Sequence, residues 1–132
     1  MTVKEQFIVV TLAVALAELA GAQSSEIDRL FGLLKRKADE ERTVEDCKTR
    51  VDQIKGKIML GCDAKTIDLR QAYVDSELAK GGEAAMAVQV YQSEVVDLAK
   101  IVAEIEVTRL RVRAAETLLD TYGHLAMGLS GS

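Results

Sequence analysis

Between Glu83 and Tyr122, forty residues pass without a proline or a glycine. Val88, Tyr91, Val95, Leu98, Val102 and Ile105 recur along them at alternating spacings of three and four. The series continues through Val112 and Leu119, with polar interruptions at Arg109 and Glu116. This spacing lines apolar side chains along one side of a helix. At about 1.5 Å per residue the helix is roughly 60 Å long. A rod of that kind cannot cover its own stripe, so the rest of the chain is read as its cover.

A second long stripe precedes it. Ser25 with Asp28 resembles a capping box and opens a helix over 26–60. Leu30, Leu33, Val44, Cys47, Val51, Ile54 and Ile58 fall in heptad register, and the same register puts Lys37 and Glu40 on the stripe. Such a polar layer fixes the register of packed helices at some cost in stability. Between the two long helices, Gly61-Cys62-Asp63 makes a break with Asp63 as N-cap. A shorter helix follows to Lys80, with Ile67, Val74 and Leu78 on one side. Gly81-Gly82 then allows the chain to reverse.

The N-terminus is patterned differently. Thr2 and Glu5 form a capping box, so a helix starts at Val3 and runs to Ala20, with Gly21 as its stop. Phe7, Ile8, Val9, Val10, Leu12, Val14, Leu16 and Leu19 make it apolar on every side, which demands burial in protein or in lipid. Its apolar length and the Ala20-Gly21-Ala22 pattern also suit a secretory leader. Against that, Lys4 is offset by Glu5, and Glu18 stands just ahead of the cleavage pattern. A membrane span needs about twenty apolar residues, and Phe7–Ala22 offers sixteen. The expected division is therefore an apolar helix over 1–22, a helical hairpin domain over 23–128 and a Gly/Ser tail over 129–132.

Composition supports helices throughout. Proline and tryptophan are absent, aromatics are 4% and hydrophobic residues 48%, so the core is built from Ala, Val, Leu and Ile. That hydropathy excludes a disordered chain. The net charge of −4 is spread without a basic face, which excludes a phosphate-binding surface and argues against nucleic acid as a partner. Lys35-Arg36-Lys37 is followed at once by Asp39, Glu40 and Glu41, the pattern of a solvated helix face.

No catalytic constellation emerges. His124 is the only histidine. It lies one turn beyond Asp120 and two beyond Glu116, whereas a helical di-iron site takes a Glu-x-x-His pair from each of two helices. Cys47 and Cys62 have neither CxxC nor zinc-ligand spacing. No base is tied to either thiol, and no glycine-rich loop follows a strand. We therefore expect no catalytic residue, metal or cofactor.

The sequence predicts an all-α fold, a long antiparallel coiled-coil-like hairpin with an apolar N-terminal helix. Val88, Val95, Val102 and Ile105 are expected to face Leu30, Val44, Val51 and Ile54, with Tyr91 and Leu98 on the same stripe. The expected role is a non-enzymatic structural subunit of a larger complex, such as a virion or a secretion-type apparatus. Its partners would be copies of itself or other subunits. A membrane-anchored protein inserting through 3–20 is the alternative, and a helical adaptor or chaperone is a third reading. No residue pattern carries a family resemblance.

Overall fold

The structure, a computed structural model, describes residues 2–63 and 65–130, the last two by backbone alone. Three helices follow in order: α1 (Val3–Leu60), α2 (Ile67–Ala79) and α3 (Gly82–Ser130), with no strand among the described residues. The all-α fold is thus as expected. The helices form two compact units. One consists of Met1–Lys35 with Ala103–Ser132, the other of Arg36–Val102.

In the first unit, the start of α1 packs against the end of α3. On α1, Val9, Leu12, Leu16, Leu19, Gln23, Glu26, Leu30 and Leu33 are buried or half-buried, with Ala15, Ile27 and Leu34 half-buried beside them. The first eight alternate by three and four without a lapse, so they form a single seam. Ile105, Thr108, Val112, Ala115, Leu119, Tyr122 and Ala126 supply the matching seam on α3. Ile105 and Thr108 are almost fully covered. An ion pair between Arg111 and Glu26, at 4.0 Å, ties the two helices together.

The second unit continues the same spacing within its own bounds. Lys37, Glu40, Val44, Cys47, Val51, Ile54 and Ile58 line α1, while Ala84, Ala87, Tyr91, Glu94, Leu98 and Ile101 line α3. Here α1 and α3 run antiparallel, since Arg50 pairs with Glu83 while Glu40 meets Glu94. On α2, Val74 is almost completely buried. The reversal before α3 uses Gly81 and Gly82 at φ +81° and +79°, a region costly for residues with a Cβ.

The caps show how local sequence sets the boundaries. Thr2 and Glu5 form the reciprocal box expected of them: Thr2 N–H donates to Glu5 Oε2 at 3.0 Å and Glu5 N–H to Thr2 Oγ1 at 3.1 Å. The start of α2 differs from expectation. Its N-cap is Thr66, not Asp63: Thr66 has extended backbone and its hydroxyl accepts the Leu69 N–H.

Two expected interruptions do not occur. Gly21 does not stop a helix and the Ser25–Asp28 box does not open a new one, because α1 passes straight through them. An interior glycine costs a helix only about 1 kcal/mol, and the seam Leu19–Gln23–Glu26 crosses this stretch in register. Likewise α3 runs through Gly123 and Gly128 to Ser130 rather than ending near Tyr122. Of the expected tail, Gly131 and Ser132 lie outside the described residues.

The stripe expected on α3 is corrected by one residue. Tyr91, Leu98 and Ile105 lie on the seam, but Val95 and Val102 are 40% and 38% exposed and Val88 is half-buried beside it. Glu94 and Ile101 take the seam positions instead. Leu30, Val44 and Ile54 are half-buried and Val51 is buried, all on the α1 seam.

Candidate functional site

The first six or so turns of α1 present apolar side chains on both sides. Val9, Leu12, Leu16 and Leu19 face inward on the seam that α3 covers. Opposite them runs a second series at heptad spacing: Val3, Phe7, Val10, Val14, Ala17, Gly21 and Ser24. Every member is exposed, the four bulky ones by 83, 71, 61 and 53%. Ile8 is exposed on the flank. Gly21 has no atom near the place where a Cβ would stand, so its surface is open. Large exposed apolar surfaces of this kind mark places of association.

The polar groups along this face are satisfied locally or sit at its borders. Thr11 donates its hydroxyl to the Phe7 carbonyl at 2.8 Å. The capping box occupies two of the N–H groups at the helix start. Lys4 and Glu18 are exposed on the same flank, fourteen residues apart, and neither has an ion-pair partner among the described residues.

Within the second unit, two further features stand out. An apolar groove lies between Cys47 and Arg50 of α1 and Gly82, Met86, Ala87 and Val90 of α3, with the Arg50–Glu83 pair at 3.3 Å on its rim. Along the seam, the carboxyl oxygens of Glu40, Glu94 and Asp97 come within 4.8 Å of one another. With both carboxylates ionised, Glu40 Oε1 is buried without a hydrogen-bond donor, since Glu94 can then only accept. A bond between the two exists when one carries a proton. The Glu40 carboxyl is pushed above its ordinary range by the hydrogen bond to Glu94, then by burial and by the charges of Glu94 and Asp97, while Arg36 acts in the opposite sense.

The other candidate groups are not brought together. Glu116, Asp120 and His124 are all exposed on α3. Cys47 and Cys62 are free thiols, each half-buried. The structure also adds what the sequence reading missed, namely Gln23, Glu26 and Thr108 as polar members of the first unit's seam and Glu94 as one of the second's. No protein-family model matches the chain, and no curated protein or solved structure is significantly similar to it.

Proposed function

We propose that the chain is a non-enzymatic structural protein, a helical subunit that joins copies of itself or other subunits in a larger assembly, of which a virion or a secretion-type apparatus are examples. One observation carries the reading. The start of α1 already has a partner on its inward side, in α3, and still exposes a full apolar stripe outward. A monomer gains nothing from Val3, Phe7, Val10 and Val14 in water; an assembly interface does. Light-scattering mass of the full chain in buffer, with and without Val10→Arg, tests this. The wild type should be a defined oligomer. The substitution points outward, so it should lower the mass while leaving the helical content of the folded chain unchanged, the melting temperature falling only by what association contributed. A monomeric wild type would refute assembly through copies of this chain.

A second reading has its own observation. This part of α1 is apolar enough to cross a bilayer, and no residue of that stretch is fully buried. The internally bonded Thr11 hydroxyl would suit hydrocarbon as well as protein. On this account the full chain would float with phosphatidylcholine vesicles, and Val10→Arg would release it.

A further inference from the structure

The outward stripe of α1 has an order that selects its occupant. Its bulky members come first (Val3, Phe7, Val10) and its small ones last (Ala17, Gly21, Ser24), with Val14 between. Two such helices laid parallel would set Phe7 against Phe7 and Gly21 against Gly21, a clash beside a void. Laid antiparallel, with Val10 of one opposite Val14 of the other, the stripe complements itself. Phe7 then meets Ala17 and Val3 meets Gly21, whose surface is open. Large residues opposite small ones let two helices interdigitate.

Charge points to the same register. The flank beside this stripe carries Lys4, Thr11 and Glu18, all exposed. In the antiparallel register that matches Phe7 to Ala17, Lys4 of each copy lies across from Glu18 of the other, and Thr11 lies near the two-fold axis. Neither side chain has an ion-pair partner among the described residues of its own chain. The opposite flank, Gln6, Ala13 and Ala20, is uncharged and mostly small. A parallel pair would leave Lys4 and Glu18 beside uncharged neighbours. One arrangement thus satisfies volume and charge together, and it closes on itself with two-fold symmetry.

We propose that a second copy of this chain docks on α1 through Val3, Phe7, Val10, Val14, Ala17 and Gly21 in antiparallel register, flanked by two Lys4–Glu18 ion pairs. The inference rests on the assembly reading above and specifies its partner and geometry.

Charge reversal in the full chain tests it, read as light-scattering mass over a dilution series at low salt, with a melting curve to confirm folding. The wild type should be a dimer. Lys4→Glu alone and Glu18→Lys alone each place like charges across both pairs, and each should weaken the dimer about tenfold. The double variant restores opposite charges and should recover wild-type association. Ala17→Phe sets bulk against Phe7 and should dissociate the dimer while leaving the helical content of the folded chain unchanged, its melting temperature falling only to that of the wild type diluted to monomer. Suppose the wild type associates but the charge and bulk variants behave like it, or the double variant fails to recover. The register proposed here is then wrong, while the assembly reading stands. A wild type that is monomeric in buffer overturns both the register and assembly through copies of this chain, and one that is monomeric in buffer yet binds vesicles gives the face to lipid.

Discussion

The two units use one packing rule and dress it in opposite ways. In each, α1 and α3 meet along a seam of positions alternating by three and four. Outside the seam they diverge on α1. Its Val3–Lys35 portion has seven charged residues in 33, whereas its 36–60 portion has thirteen in 25. The second unit thus surrounds its seam with a solvated coat, in which the exposed Arg50–Glu83 pair at 3.3 Å takes part. The first leaves α1 apolar on both sides. The outward apolar stripe of the first unit stays exposed beside that packing, and on the reading proposed above it serves association.

The sharpest test of this contrast sets seam against surface within each unit. Ile105→Ala removes a buried side chain from the first unit's seam and should cost about 2–5 kcal/mol in denaturant unfolding. Val51→Ala should act in the same direction in the second unit, by less because the side chain is smaller. Val102→Ala, on the exposed flank, should stay within about 0.5 kcal/mol. If Val102→Ala destabilises as much as Ile105→Ala, the seam has been assigned to the wrong residues.

Smaller effects are expected where the second unit turns. Gly81 sits at φ +81°. Gly81→Ala has open space for its methyl group but must hold a left-handed backbone, which costs about 1–2 kcal/mol. The same change at Gly21, in the helical interior of α1 and equally open, should stabilise by up to about 1 kcal/mol. Chemical denaturation of the two variants separates a glycine required by the turn from one the helix merely tolerates.

Much of this was legible in the sequence, and the failures share a cause. Three-and-four spacing, the Thr2–Glu5 box and the Gly81-Gly82 reversal are local signals, and each appears in the structure as read. The α3 stripe was displaced because a search for apolar residues passes over a seam holding Glu94 and Thr108. Val95, one residue after Glu94, and Val102, one after Ile101, offer a competing series. The clue lay in the interruptions: moving the series back by one residue replaces Arg109 with Thr108 and Glu116 with Ala115. At the start of α1 the difficulty was reversed. A stretch apolar on all sides hides which side is the seam, although Val9, Leu12, Leu16 and Leu19 keep the register of Leu30 and Leu33. The outward stripe was visible as residues but not as a face, because only a packed α3 shows which side remains open.

The smallest predicted effect concerns the seam's own charge. Glu40 and Glu94 occupy seam positions of the second unit, with Asp97 beside them on α3 and Arg36, Lys37 and Glu41 nearby on α1. A like-charged pair in a seam is tolerable while a proton is shared, and the Glu40 carboxyl is accordingly raised above its ordinary range. The folded unit therefore binds this proton more strongly than the unfolded chain does. This contribution to stability is complete below the ordinary glutamate value, about 4.3, and is lost as the pH rises through the raised folded value. Glu94→Gln removes the like charge and supplies an amide donor to Glu40. Near the ordinary glutamate value the variant should melt close to the wild type, and it should become the more stable of the two as the pH rises. Asp97→Asn should show the same trend more weakly, since Asp97 acts on Glu40 through charge alone. Parallel pH profiles for wild type and Glu94→Gln would mean that no proton is shared, and the seam of the second unit would then be as indifferent to pH as an apolar one.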